Sequence, residues 1–336
     1  MTGRRGARWT AIGLLGAAMI LLVGPDAFGG TYRWVDRDGN VRYTDRPPQP
    51  DDLAPPPAAS IPTSGEPAAP SAAIQELMEL SGLRQQLEWM AVNTRAQLQA
   101  QLGALQAEER ASVDRVAAVA FGAQRLQGLV SESLNTRVDD AKIAQAAVWF
   151  RTAAGRKIIA AEIAAGMPQA QEDIARFARA RATNPPDAKR RERLQRLDEV
   201  AASSEFSFDV FVAVAEGMRR GAEPFLPVER RRAMGNVDRE VVAGARPNAV
   251  EQLRATTLVS LEFTYRDISD ADLDAYLAFL GSPSGRWLTT EIHQALLHAV
   301  RTSTEEAIVA IAQVIPPHLW GQPRPRREPP AKPAHL

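Results

Sequence analysis

A reactive centre in this chain would have to be assembled from four histidines, some adjacent acids and two glycine–arginine pairs. His293 and His298 lie five residues apart, about 140° around a helix, so they do not share a face. Glu291 and His298 do share one, yet seven residues separate them by roughly 10.5 Å along the axis. The sequence holds no His-Glu-x-x-His motif, Gly-rich phosphate loop or Gly-x-Ser-x-Gly elbow. Glu108-Glu109 and Glu305-Glu306 are neighbours on helices, hence on different azimuths, and are expected to be solvated. A glycoside hydrolase needs two carboxylates placed across a cleft, and nothing singles out such a pair. Cysteine is absent, which excludes a thiolate zinc site, a cysteine nucleophile, a disulfide framework and a lipoprotein anchor. The expectation is therefore no catalytic residue, no metal and no cofactor, with both histidines as ordinary surface or groove residues.

Two constellations remain as binding candidates. Gly155-Arg156 and Gly285-Arg286 fall on the first turn of a helix, where free N–H groups and a cation could hold an anion. The competing expectation is that glycine lets two helices approach while the arginine pairs with Asp140 or Asp270. The second constellation is Tyr32, Trp34 and Tyr43. It is either an aromatic cluster on one face that holds a marginal hairpin together, or an exposed platform for a sugar or peptide strand of the cell wall.

The elements that must carry these residues follow from periodicity. Around Tyr32–Val35 and Val41–Thr44 the chain alternates with period two, and Asp38-Gly39 supplies a turn, so residues 30–48 are expected to form a small β-hairpin module. Pro47-Pro48 ends the pairing, because proline has no N–H to donate. Residues 49–72 lack periodicity and aromatics and are rich in proline, the composition of a disordered, extended spacer. From residue 73 to 315 apolar residues recur every three or four positions, beginning with Ile74, Leu77, Leu80, Leu83 and Leu87, which is the mark of amphipathic helices. Ser81-Gly82, Asn184–Asp187 and Pro224–Pro227 are breaks. The fold class is mainly α, one or two helical bundles preceded by the hairpin and the linker.

An internal repeat runs through the helical region. Asp140-Ala141 recurs as Asp270-Ala271, and Gly155-Arg156 as Gly285-Arg286, both at a spacing of 130 residues. In each copy Asp139 or Ser269 can cap a helix, and Thr152 or Ser282 caps the next. Pro283 stands in a first turn, where its missing N–H costs nothing. The units are taken as 73–183 and 188–315. Residues 316–336 form a disordered proline-rich tail, with Arg324, Arg326, Arg327 and Lys332 against Glu328.

The opening residues read as an address. Arg4, Arg5 and Arg8 precede an apolar run from Ala11 to Val23, Pro25 ends it, and Ala27-Phe28-Gly29 suits a signal peptidase. A run of 13 residues falls short of the roughly 20 that span a bilayer. Residues 1–29 are thus expected to be a signal peptide and the mature protein to be periplasmic or otherwise exported. The alternative is anchorage in the inner membrane by an uncleaved signal.

The hairpin residues Tyr32, Trp34, Asp36, Gly39, Tyr43, Thr44, Asp45, Pro47 and Pro48 resemble the pattern of a bacterial envelope family, domain of unknown function 4124. That resemblance implies an exported protein and no assigned activity. The unit Trp149–Arg156, and its counterpart Phe279–Arg286, resembles the helical domain of unknown function 2059, which implies an all-helical exported domain without a known catalytic centre. Ala153 departs from that family's pattern, which prefers Pro there.

Forty basic and 40 acidic residues leave no net charge, which argues against nucleic acid as a partner. The expected role is a non-enzymatic interaction or scaffold protein of the cell envelope. Its helical body would bind an envelope protein or a cell-wall polymer through a groove near Phe206, Phe208 and Phe211, although plain core is the other role open to these phenylalanines. Membrane contact would come only through an uncleaved opening segment. The alternative is a peptidoglycan-active enzyme that the hairpin targets to the wall.

Overall fold

The structure, a computed structural model, describes residues 32–35, 41–44, 70–101, 107–137, 139–181, 187–226 and 228–314. The apolar run at 11–23, the turn at 36–40, most of the 49–72 linker and the 316–336 tail lie outside the described residues. Strands β1 (Tyr32–Val35) and β2 (Val41–Thr44) pair antiparallel, with Tyr32 opposite Thr44, Arg33 opposite Tyr43 and Trp34 opposite Arg42. The side chains of Tyr32, Trp34 and Tyr43 lie outside the described residues.

The rest of the described chain is helical. Its order is α1 (Ala72–Leu80), α2 (Leu83–Gln101), α3 (Ala107–Ala120), α4 (Ala123–Asn135), α5 (Asp140–Phe150), α6 (Ala153–Gly166), α7 (Ala170–Arg181), α8 (Ala188–Ala201), α9 (Ser203–Ala222), α10 (Val228–Thr264), α11 (Asp270–Gly281) and α12 (Pro283–Val314). Short polar side chains open many of these helices by accepting a first-turn N–H that has no partner within the helix. Ser71 accepts from Ile74, Asp139 from Ala141, Asp187 from Arg190 and Ser269 from Asp272.

Two tight corners use left-handed backbone. Gly82, at φ +69°, turns α1 into α2. Ala202, at φ 51°, turns α8 into α9. For a residue with a Cβ that conformation costs roughly 1–2 kcal/mol. The α8–α9 corner is held by the fully buried Asp198, whose carboxylate accepts from the Ser204 N–H at 2.9 Å and from its hydroxyl at 2.8 Å.

A single main core draws on both ends of the helical region. Ile74, Leu77, Leu87, Leu126, Ile143, Phe150 and Ile158 meet Leu194, Leu197, Tyr265, Leu273, Phe279 and Leu288 in one contiguous cluster. A smaller cluster of Val210, Val214, Met218 and Val300 lies between α9 and α12. There the helices touch backbone to side chain, because Gly217 and Gly221 present no Cβ. A methyl on Gly217 would sit 2.5 Å from the Arg301 carbonyl oxygen and 2.8 Å from Thr304 Cβ. Among the described residues no helix is long and apolar enough to cross a membrane.

Candidate functional site

The two glycine–arginine pairs occupy matching corners, α5–α6 and α11–α12. In the first, the Thr152 hydroxyl accepts the Gly155 N–H at 2.9 Å and donates to the Trp149 carbonyl at 2.7 Å. In the second, the Ser282 hydroxyl accepts from Gly285 at 3.0 Å and donates to the Phe279 carbonyl at 2.6 Å. The guanidinium of Arg156 donates to the carbonyl of Arg151, and that of Arg286 to the carbonyl of Gly281. Each arginine thus closes the end of the preceding helix, where carbonyls lack helical partners and a cation suits the dipole. The expected ion pairs with Asp140 and Asp270 do not form here. Asp270 is held instead by Arg190 at 2.6 Å and Arg193 at 2.8 Å, because those cations lie on α8, packed against α11.

The corners also meet one another. Trp149 stacks on Phe279, its counterpart 130 residues on, with ring centroids 4.4 Å apart and planes 9° from parallel. Tyr276 stacks on the same indole at 5.1 Å, and Phe150 packs edge-on to both Trp149 and Phe279. Lys157 on α6 pairs with Asp272 on α11 at 2.8 Å. Adding 130 to position 157 and subtracting it from 272 gives Trp287 and Lys142, and the Lys142 ammonium lies 5.5 Å from the Trp287 ring centre. The Lys157–Asp272 contact thus has its counterpart in Trp287 and Lys142, and the Trp149–Phe279 stack is its own counterpart, as at an isologous interface.

A buried acid sits beside this aromatic cluster. One oxygen of Glu162 accepts hydrogen bonds from the hydroxyls of Tyr265 at 2.8 Å and Tyr276 at 2.9 Å. Burial pushes the Glu162 carboxyl above its ordinary range, and the two tyrosine hydrogen bonds oppose the rise only in part. Both phenols are pushed well above theirs, first by burial and then by the neighbouring carboxylate. The sequence argument missed Glu162. The available signal was a lone acid in the otherwise apolar stretch Ile158–Gly166.

Other sequence candidates are spent on packing. The imidazole of His293 stacks on Phe206 at 4.0 Å, and burial drives it down to about 4, with Asp209 opposing. His298 is lowered by burial and then by Arg301. His293 is therefore a packed ring between α9 and α12 rather than a surface residue. Among the described residues no group of three His, Asp or Glu could hold a metal. Glu306, expected to be solvated, forms a two-pronged ion pair with Arg125 across α12 and α4. Phe208 is buried, and Phe206 and Phe211 pack against the core, so the expected groove at these residues is core.

The described body is a mainly α-helical bundle whose polar groups tie helices together. Residues 18–75 of the chain match the model of a family described as a domain of unknown function, DUF4124. The N-terminal module therefore carries that domain, and the match extends on both sides of the hairpin, from within the apolar run into the first turn of α1. No curated protein matches the chain, and no solved structure does.

Proposed function

We propose that the chain is an exported cell-envelope protein that acts by binding a partner and not by catalysis. The hairpin module, residues 30–48, is set off by the 49–72 spacer from a helical body built of two copies of one unit, with the basic tail at 316–336. The single observation that carries this reading is where the ionisable groups of the body are spent. Glu162, Lys157, Asp272, Arg156 and Arg286 all hold helices or halves against one another. Duplication is supported by the matching corners and by the contacts about Trp149 and Phe279; the resemblance of the corner motif to domain of unknown function 2059 is not among the family matches and lends it no support. For the Gly155-Arg156 and Gly285-Arg286 pairs the geometry favours corner closure over anion binding, since hydroxyls and carbonyls already engage both groups.

Export rests on the Arg4–Gly29 pattern and on the family match of the N-terminal module. The partner is an envelope protein or a cell-wall polymer. Cell fractionation with an antibody to the helical body tests the placement: a processed chain outside the cytoplasm is expected, and the intact chain in the cytosol would overturn it. Incubation of the purified chain with peptidoglycan tests the role. No soluble muropeptides are expected, and release abolished by changing one acid would replace this reading with that of a wall enzyme.

A further inference from the structure

The two acids buried most deeply among the described residues each meet a cation. Asp198, fully buried, faces Arg254 at 3.4 Å, and Glu262, 5% exposed, is gripped by both prongs of Arg181, one of them at 2.6 Å. Such pairing is what makes a charge tolerable in a low-dielectric interior. Glu162 departs from it. No lysine or arginine among the described residues pairs with its carboxyl or acts on it. Lys157, one of the two cations of its own helix, is spent on Asp272. The partners of Glu162 are the hydroxyls of Tyr265 and Tyr276, and both donate to the same oxygen, Oε1. The other oxygen, Oε2, accepts from no described residue and is not sealed from solvent.

The hydrogen-bond census of this junction is one-sided. A phenol carries one proton and an ionised carboxylate none. With both phenol protons turned on Oε1, what remains is acceptor capacity, at Oε2 and in the unused lone pairs of the phenol oxygens. Burial around them is incomplete. Glu162 and Tyr276 keep part of their surface in solvent, and Tyr265, 4% exposed, closes the back. Trp149 stacks on Tyr276 at 5.1 Å, so packing holds that phenol in place. The three groups thus offer acceptors, one negative charge and no free donor, a combination that excludes anions and selects a cation able to donate. No group of three His, Asp or Glu among the described residues provides a metal site. A primary ammonium, with three N–H donors and no acceptor, matches what is offered. It would also supply the counter-charge that Glu162 lacks.

We propose that Glu162, Tyr265 and Tyr276, where α6 and α11 meet the end of α10, bind a primary alkylammonium group. The proposal does not depend on where in the cell the chain resides. Saturation-transfer NMR on the purified full chain tests it, with n-butylammonium as probe in about 0.15 M salt, which screens exposed charges beyond about 8 Å. Transfer to the methylene protons of the probe is expected. None is expected to butan-1-ol, which has the chain without the charge, or to tetramethylammonium, which has the charge without a donor. Glu162→Gln keeps an acceptor for both tyrosines and should weaken transfer about tenfold, the worth of a hydrogen bond to a charged group. Glu108→Gln, at an exposed acid of α3, should leave transfer unaltered. Tyr276→Phe keeps the ring against Trp149 and removes one acceptor; weaker transfer in it supports the proposal, and it decides the matter if Glu162→Gln does not fold. Nα-acetyl-lysine amide separates the sources: transfer to its side-chain methylenes assigns an ammonium carried on a chain, and transfer to n-butylammonium alone assigns a free amine. Absence of transfer to millimolar n-butylammonium, equal transfer to tetramethylammonium, or undiminished transfer in Glu162→Gln or Tyr276→Phe would each overturn the proposal.

Discussion

Replacing Gly285 by alanine sets two physical effects against each other with opposite signs. On helix propensity alone alanine is better than glycine by about 1 kcal/mol in a helix interior. At Gly285, however, the new methyl would lie 2.7 Å from the Phe279 carbonyl carbon and 2.9 Å from Leu280 Cα. Those atoms are backbone and cannot rotate away, and the Phe279 carbonyl oxygen lies nearer still, so the α11–α12 corner must open. Overpacking of this kind costs typically 1–3 kcal/mol. Opening the corner also strains the two hydrogen bonds of Ser282, each worth about 1 kcal/mol net. The propensity gain is outweighed, and a net loss of about 2–3 kcal/mol is expected, a fall in melting temperature of about 5–10 °C for a body of this size. Gly155→Ala, 3.0 Å from Phe150 Cα, should behave alike. Gly244 is the control, since a methyl there meets nothing within 4 Å, so Gly244→Ala should stabilise by up to about 1 kcal/mol. Urea titration followed by helical circular dichroism reads all three as midpoint shifts at constant slope. Stabilisation by Gly285→Ala equal to that of Gly244→Ala would refute the close-approach argument.

Gly217→Ala should cost about 1–3 kcal/mol by the same urea titration, because its methyl would enter the backbone of α12 at Arg301. His293 binds its proton less readily when folded, at about 4 against 6.5, so its contribution to stability is present above pH 6.5 and is lost as pH falls towards 4. The loss is at most about 3 kcal/mol, and His293→Phe, which keeps the stack on Phe206, should flatten the urea midpoint between pH 6.5 and 4. Glu162 has the opposite sign. Its folded carboxyl is raised, so its term grows more favourable as pH falls through the raised value to the ordinary 4.5 and levels off below. Glu162→Gln, which keeps an acceptor for both tyrosines, should remove that dependence and leave stability at pH 7.5 equal or higher; a large destabilisation there would show that the ionised carboxylate is needed.

Much of the local structure is legible along the chain. The caps Asp139, Thr152, Ser269 and Ser282 lie within three residues of the N–H groups they accept from, so a short window of sequence contains both partners. Pro283 begins α12, Ser81-Gly82 separates α1 from α2, and the Pro224–Pro227 break falls between α9 and α10. The partners of charged side chains are not legible in this way. Arg286 was expected on Asp270 and closes a carbonyl of its own corner, while Asp270 is claimed by Arg190 and Arg193 from α8. A cation can reach many acids, and only the packing of helices selects one.

Amino-acid order alone determined the starts of α5, α6, α11 and α12, because capping and proline geometry act over a single turn, but not the left-handed corner at Ala202, nor that Pro247 stands inside α10 without ending it. It also determined that the Gly-Arg corner occurs twice. Tertiary structure alone decided that the two corners face each other through Trp149 and Phe279 and that Glu162 lies under Tyr265 and Tyr276. Those contacts join residues up to 130 positions apart. They exist only once apolar burial has brought the helices together, and no local rule encodes which faces meet.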